Sequence, residues 1–225
     1  MPGVGPGRRT IVKVCGLTSL EDARAACEAG ADWLGFVVHG DSPRRIDPKR
    51  VASIVESIAP EFAADRRPQF VAVMVDATPR LARELAERSR ANRVQLHRVA
   101  GSAWPAEFPY PAAFSVPVGP DGRPGAPLPD PRHLLMLDTG HAERAGGTGA
   151  VFPWEAAVAL ARQRPVLLAG GLGPENVAAA LARVRPFGVD ASSRLESTPG
   201  IKDHALVRSF VTTVRDWDAR IDSAG

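Results

Sequence analysis

Two side chains that can exchange protons, Cys15 and Asp138, end predicted β-strands in this chain. Cys15 follows residues 11–14, which are β-branched except for Lys13, and precedes Gly16, whose backbone freedom suits a sharp turn. A thiolate is a competent base where positive charge lowers its pKa, and a desolvated carboxyl group can retain its proton. The two residues therefore form a candidate base and acid for one substrate. The alternative for Cys15 is a small side chain buried in the core.

Two arginines, Arg44 and Arg45, lie in a polar, turn-rich segment after the second predicted strand. Arginine binds carboxylate and phosphate groups through two parallel hydrogen bonds, so either residue is a candidate clamp for an anionic substrate. The alternative is a pair of solvated surface arginines.

Two glycines and two serines follow the seventh and eighth predicted strands, as Gly170-Gly171 and Ser192-Ser193. In barrels of alternating strands and helices, the loops after these two strands commonly form a phosphate site. Glycine lets backbone amides approach an anion, and serine adds hydroxyl donors. These four residues therefore predict a phosphorylated ligand.

Alternating strands and helices must position these groups. Apolar or β-branched runs predict strands at residues 11–14, 33–38, 70–75, 93–97, 113–118 and 133–138. Residues 165–172 are predicted as strand seven with its glycine pair, and residues 188–193 as strand eight with its loop. Helical segments begin at candidate caps such as Asp47, before Pro48, and Thr18, which has capping-box spacing to Glu21. Such repeats predict an α/β protein with a single (β/α)8 TIM barrel. We assign the barrel domain to residues 10–222 and a flexible tail to residues 1–9.

Residues 99–132 interrupt this pattern because they are rich in proline and glycine, which do not continue a helix. Strand–helix repeats continue on both sides of the segment, which argues against a domain boundary. We therefore expect the outer helices of the barrel to be short or missing around strands four to six.

The composition argues against several classes of partner. The chain has 225 residues, 28 of them basic and 25 acidic, and its net charge of +3 does not favour nucleic acid binding. No apolar run approaches the ~18 residues of a transmembrane helix, so no membrane partner is expected. The two cysteines, Cys15 and Cys27, form no disulfide framework and suit a reducing cytoplasm.

Short motifs spread along the chain resemble one known family, that of phosphoribosylanthranilate isomerase. In chain order they are Lys13-Val14-Cys15-Gly16-Leu17-Thr18, Ser42-Pro43-Arg44, Val94-Gln95-Leu96-His97, Leu137-Asp138, Gly146-Gly147-Thr148-Gly149, Ala169-Gly170-Gly171-Leu172, Gly188-Val189-Asp190 with Ser192-Ser193, and Glu196 to Lys202-Asp203. The resemblance extends from about Thr10 to Val214. Each motif is short, but the ordered set is specific.

The resemblance implies an isomerase of tryptophan biosynthesis that uses no cofactor and acts on a small phosphorylated substrate. By analogy, Asp138 protonates the furanose ring oxygen and Cys15 removes the C2′ proton, which completes an Amadori rearrangement. Arg44 matches the arginine that holds the anthranilate carboxylate. The other substrate-binding residues implied are Gln95, His97, Gly147, Gly149, Gly170, Gly171, Asp190, Ser192 and Ser193. We expect a monomer or a homodimer.

Three residues depart from the family pattern. Arg98 and Arg194 stand where the family usually has glycine, and Pro153 stands where it often has aspartate. Because Arg194 follows the serine pair of the predicted phosphate loop, we expect its guanidinium to reach the phosphate. The alternative is that it blocks the usual substrate.

Three other functions remain open. A related isomerase could use the same acid and base on another aminosugar phosphate. A metal-dependent sugar-phosphate epimerase would use His39, Asp76, His97 and Asp138 as ligands, but it has no role for Cys15. A phosphate-binding protein without activity would need neither Cys15 nor Asp138.

Overall fold

Eight parallel strands close into a barrel in the computed structural model, which describes residues 9–119, 123–138 and 154–223. The strands are β1 Ile11–Cys15, β2 Trp33–His39, β3 Gln69–Val75, β4 Arg93–His97, β5 Ala112–Pro117, β6 Leu134–Asp138, β7 Val166–Ala169 and β8 Gly188–Ala191. They pair in chain order, and β8 pairs with β1 to close the ring. The predicted (β/α)8 barrel is confirmed.

Helices cover the outside of most of the barrel. In the described ranges they are α1 Leu20–Ala29, α2 Pro48–Ile58, α3 Pro79–Ser89, α4 Trp154–Ala161, α5 Val177–Val184 and α6 His204–Ser223. A short antiparallel hairpin of β9 Glu196–Thr198 and β10 Ile201–Lys202 lies between β8 and α6. None of these described helices is both long enough and apolar enough to cross a bilayer.

Aromatic side chains replace helices beside β4 and β5. Among the residues described between β4 and β6, the one helical segment is the 3-10 turn Gly101–Ala103. Trp104 packs edge-on against Phe108 and Phe114, with ring centroids 4.9 and 5.5 Å apart. Such aromatic contacts bury a large apolar area. The expected shortage of outer helices in this part of the barrel is confirmed.

Alternation along β1 sends its side chains into two separate layers. Val12 and Val14 join the large core between strands and helices. Cys15 joins the smaller apolar cluster inside the barrel, and Lys13 on the same face is fully buried. Two residues with potential chemistry therefore point into the barrel from one strand.

The start of α1 differs from the sequence-based expectation. Its N-cap is Ser19, whose side chain accepts a hydrogen bond from the Asp22 amide. The hydroxyl of Thr18 instead donates to the Gly200 carbonyl at 2.6 Å and so ties this loop to the β9–β10 hairpin. The predicted capping box was wrong by one residue, whereas the predicted cap at Asp47 is confirmed by its bond from the Lys49 amide.

The predicted flexible tail, residues 1–9, lies outside the described residues except for Arg9. The Arg9 guanidinium lies 3.4 Å from the Asp32 carboxylate.

Candidate active site

A cavity of about 510 Å³ opens at the carboxyl ends of the barrel strands. Active sites of (β/α)8 enzymes lie at this end. The predicted site residues that line it are Cys15, Arg44, Gln95, His97, Asp138, Gly170, Gly171, Asp190, Ser192 and Ser193. The predicted Gly147 and Gly149 lie outside the described residues.

Cys15 and Lys13 lie together on the inner face of β1. The Lys13 ammonium is 2.7 Å from the carboxylate of Asp190 on β8, and both side chains are buried. Gly35 on β2 makes room for them, because a Cβ there would lie 2.8 Å from Cys15 Sγ and 3.0 Å from Lys13 Nζ. The thiol and the ammonium thus approach the same point of the β2 backbone.

Burial and charge act in opposite directions on this pair. Burial raises the pKa of the Cys15 thiol, and the Lys13 ammonium opposes that rise. Burial lowers the pKa of Lys13, but the Asp190 carboxylate and Cys15 outweigh burial and raise it above its usual value. Lys13 is therefore cationic beside the thiol near neutral pH. No role for Lys13 was predicted from the sequence, although a lysine two residues before the cysteine in a buried strand was a usable signal.

Asp138 is the last residue of β6 and lines the same cavity. Its carbonyl accepts a hydrogen bond from the Val118 amide at 3.1 Å, which ties this end of β6 to the end of β5. Its side chain lines the cavity with Cys15 and is close enough to Asp190 for the two carboxylates to repel each other. The barrel thus brings together a thiol and a carboxyl group that are far apart in sequence.

Gln95 and His97 contribute a neutral polar pair from β4. Their Nε2 atoms are 2.8 Å apart. Burial, aided by the Lys13 ammonium, lowers the pKa of His97 to about 4, so the imidazole is uncharged near neutral pH. With the Gln95 amide as donor, the proton of His97 resides on Nδ1.

Arg44 is held by a carboxylate to which sequence analysis gave no role. Its Nε and Nη2 donate to the two oxygens of Glu196 at 2.8 and 2.7 Å. The buried Lys202 ammonium reaches the same carboxylate at 2.7 Å and also the Ser192 carbonyl at 3.2 Å. Burial raises the pKa of Glu196, but the two cations outweigh it, so Glu196 is ionised. Two cations and one anion leave a net positive charge beside the cavity.

Gly16 is the point where three loops meet. Its φ is +76°, and a Cβ would lie 2.6 Å from Arg44 Cδ and 2.9 Å from Ser192 Oγ. A side chain here would strain the backbone and displace both neighbours. The glycine therefore sets the approach of the loops after β1, β2 and β8, in addition to the predicted turn.

The glycine pair after β7 ends that strand earlier than predicted. Gly170 and Gly171 have φ of +88° and +64°, so the chain leaves the extended conformation after Ala169. The Asn176 side chain donates to the Gly171 carbonyl at 2.8 Å and accepts from the Gly173 amide at 2.9 Å. This loop and the Ser192-Ser193 loop both line the cavity.

A known protein family matches this sequence along nearly the whole chain. Residues 12–213 match the sequence model of N-(5′-phosphoribosyl)anthranilate (PRA) isomerase. This chain belongs to the phosphoribosylanthranilate isomerase family.

Relatives in the phosphoribosylanthranilate isomerase family match over nearly their full length. The N-(5′-phosphoribosyl)anthranilate isomerase of Geobacter sulfurreducens is 39% identical over 210 residues, which cover 92% of this chain and 98% of the relative. The corresponding protein of Pseudomonas fluorescens is 37% identical over 208 residues, covering 90% and 97% of the two chains.

Solved structures agree with the sequence comparison. The phosphoribosylanthranilate isomerase of Thermotoga maritima superposes with a TM-score of 0.73 at 32% identity, covering 92% of this chain and 99% of that one. Another was solved in complex with reduced 1-(o-carboxyphenylamino)-1-deoxyribulose 5-phosphate, and it superposes with a TM-score of 0.71 at 30% identity with the same coverage.

Two departures from the family pattern have a structural explanation. Arg98 adopts φ +55° and pairs with Asp76, which adopts φ +54°. Arginine there occupies the left-handed conformation that glycine favours. The Arg194 guanidinium binds Glu175 at 2.7 Å, and Arg194 does not line the cavity. The Arg194 guanidinium is therefore held away from the cavity, contrary to the expectation from the sequence, and Pro153 lies outside the described residues.

The residues suggested for a metal site do not converge. His97 and Asp138 line the cavity, whereas His39 does not, and Asp76 is bound by Arg98. Within the described ranges, no three His, Cys, Asp or Glu side chains are placed to hold a metal ion. This arrangement gives the metal-dependent epimerase no ligand set among those residues.

Proposed function

We propose that this protein is an intramolecular oxidoreductase that converts N-(5-phosphoribosyl)anthranilate to 1-(2-carboxyphenylamino)-1-deoxyribulose 5-phosphate, the third step of the tryptophan branch. The observation that carries the proposal is that Cys15 and Asp138 line one cavity in a member of this family. The relative solved with a reduced form of the proposed product supports the choice of substrate.

In the proposed mechanism, two proton transfers accomplish the reaction. Asp138 donates a proton to the furanose ring oxygen, and the ring opens to a Schiff base. The thiolate of Cys15 then removes the C2′ proton, and the resulting enolamine tautomerises to the ketone. Hydrogen is only redistributed within the substrate, so the reaction needs no redox cofactor. One group must give a proton and another must take one, which a thiol and a carboxyl group in one cavity can do.

Two sets of residues around the cavity would orient the substrate. Glu196 holds the Arg44 guanidinium, and Lys202 offsets the charge of Glu196, so this cluster keeps a net positive charge for the anthranilate carboxylate. The Gly170-Gly171 loop and the Ser192-Ser193 loop would hold the phosphate, as in other barrels. Gln95, His97 and Asp190 would contact the sugar part of the substrate.

We further propose a cytoplasmic enzyme with a single barrel domain over residues 10–222, acting as a monomer or a homodimer. One solved structure from Thermotoga maritima shows monomers generated from a dimeric phosphoribosylanthranilate isomerase.

A fluorescence assay of phosphoribosylanthranilate consumption tests the proposal directly. The wild-type protein should consume the substrate, and Cys15→Ser should lower kcat by ~10²–10⁴-fold, because a serine hydroxyl is too weak an acid to supply the base. Asp138→Asn should also lose kcat, since an amide has no acidic proton to donate. Cys27→Ala is the matched control, because Cys27 lies in the core between strands and helices.

Three outcomes would contradict these assignments. A folded wild-type protein that leaves the substrate unchanged would refute the proposed reaction. A Cys15→Ser variant with wild-type kcat would exclude Cys15 as the base. An Asp138→Asn variant that changes only KM would make Asp138 a binding residue.

A further inference from the structure

We propose that Lys13 is a positioning residue for proton abstraction, in which its buried ammonium, held by Asp190, stabilises the thiolate form of Cys15. The inference deepens the proposed function and rests on it, because it requires Cys15 to be the base. Lys13 itself would not touch the substrate.

The geometry of β1 supports this role. Lys13 and Cys15 are two residues apart on one strand, so their side chains leave the same face. Both Cys15 Sγ and Lys13 Nζ lie within 3.0 Å of the point where a Cβ on Gly35 would stand. Lys13 has no exposed surface. The ammonium can therefore act on the thiol without screening by water.

Asp190 explains how a buried lysine keeps its charge. An isolated buried ammonium tends to lose its proton, since burial favours the neutral amine. The Asp190 carboxylate lies 2.7 Å from Lys13 Nζ, and β8 pairs with β1 so that these two residues are in register. The barrel closure between β8 and β1 thus supplies the anion that keeps Lys13 cationic.

The charged groups around the thiol come from four elements. Lys13 on β1 and Lys202 on β10 favour the thiolate, and Lys13 is the stronger of the two. Asp190 on β8 disfavours it, and Asp138 on β6 lines the same cavity. His97 on β4 is uncharged near neutral pH. Without Lys13, the thiolate would face two carboxyl groups, with Lys202 as the remaining cation among these described neighbours.

In the proposed step, the Cys15 thiol first loses its proton to water, and Lys13 stabilises the resulting anion. The thiolate electron pair then takes the C2′ proton of the substrate, which regenerates the thiol. Lys13 gains and loses no proton during this cycle.

The test is the pH dependence of Cys15 alkylation by iodoacetamide, measured in a Cys27→Ala background. An opposite charge at this range shifts a pKa by roughly 1–3 units, so Lys13→Met should raise the alkylation midpoint by about that amount. At neutral pH its kcat should fall about tenfold or more with little change in KM, and higher pH should restore kcat. Lys49→Met, on α2, should shift neither profile.

A second variant keeps the test usable if Lys13→Met does not fold, since that change leaves Asp190 buried without its partner. Lys13→Met/Asp190→Asn removes both charges, and it should still show a raised midpoint, by a smaller shift. The proposal is overturned if the alkylation midpoint is unchanged in folded Lys13→Met or in the folded double variant. It is also overturned if high pH does not restore the kcat of Lys13→Met. Either result would leave Lys13 a purely structural role.

The alkylation measurement needs no substrate, so it separates this proposal from the proposed function. A raised midpoint in Lys13→Met with no turnover of phosphoribosylanthranilate by the wild type would refute the function but keep the interaction. Turnover by the wild type, together with an unchanged alkylation midpoint in Lys13→Met, would refute only the role of Lys13.

Discussion

At the scale of single residues, the charge state in this site follows the partners of a group more than its residue type. Burial leaves His97 neutral, whereas Lys13, more deeply buried, stays charged because Asp190 contacts it. Glu196 stays ionised because Arg44 and Lys202 both bind it. Each buried charge therefore depends on a residue from another element, and removing one partner changes the other.

The role of Arg44 gives a prediction on ligand recognition. Arg44→Ala should weaken binding of a product analogue that carries the carboxylate by about 1.5–3 kcal/mol, the range for charged hydrogen bonds. Inhibition constants for analogues with and without the carboxylate provide the measurement. Arg45→Ala is the control, because Arg45 does not line the cavity. Equal losses for the two analogues in Arg44→Ala would show that it does not recognise this group.

The neutral state of His97 gives a prediction on stability and pH. Its pKa is lowered from 6.5 to about 4 in the folded protein, so the unfolded chain binds more protons between these values. The free energy of unfolding should therefore fall as pH drops through this window, with a contribution from His97 on the order of 3 kcal/mol. Urea unfolding at several pH values, compared with His97→Gln, isolates that contribution. Parallel curves for the two proteins would contradict it.

At the scale of elements, the loops at the carboxyl ends of the strands form a connected unit. Gly16 allows the loops after β2 and β8 to approach, and the β9–β10 hairpin binds Thr18 and Arg44. The Asn176 side chain holds the glycine loop after β7. The cavity wall is therefore built from contacts between loops, which explains why residues outside the cavity, such as Thr18, help to shape it.

One such contact, between Arg194 and Glu175, gives a prediction for this element. The pair is about half exposed, and exposed ion pairs contribute roughly 0.2–1 kcal/mol. Because Arg194 also does not line the cavity, Arg194→Gly should change kcat/KM by less than about fivefold. Glu175→Gln breaks the same pair and should have a similar effect. A large loss of binding in Arg194→Gly that shrinks with added salt would instead place the guanidinium on the phosphate.

At the scale of the whole molecule, closure of the barrel depends on the close approach of β8 to β1. Gly188 pairs with Ile11, and its missing side chain leaves space for the Ile11 carbonyl. The same strand pair brings Asp190 into register with Lys13. Closure thus contributes both to stability and to the charge arrangement around Cys15.

Gly188→Ala tests how much stability this approach supplies. A Cβ would lie 2.7 Å from the Ile11 carbonyl oxygen, which is too close for an unstrained contact. Overpacking of this kind costs about 1–3 kcal/mol, and Tm should fall by roughly 2–4 °C for each kcal/mol. Gly125→Ala is the matched control, because its Cβ would meet nothing closer than 3.4 Å. An unchanged Tm in Gly188→Ala would show that β8 and β1 can move slightly apart without loss of stability.

The sequence by itself determined the barrel and the positions of Cys15 and Asp138 at its carboxyl-terminal end. Strands of parallel sheets are short apolar runs, and their repetition with helices leaves few topologies, so local pattern was sufficient. The same local pattern misplaced the cap at Thr18, because Thr18 and Ser19 are both acceptable caps. Only the contact of Thr18 with Gly200 separates them.

The tertiary structure alone decided which charges surround the base and which residue holds Arg44. Lys13 and Asp190 are 177 residues apart, and Arg44 and Glu196 are 152 apart. Arg194 was likewise placed on Glu175 by contacts between loops, against the sequence-based expectation. The physical reason is that the energy of a buried charge depends on the groups around it, and those groups come from strands and loops that only the closed barrel brings together.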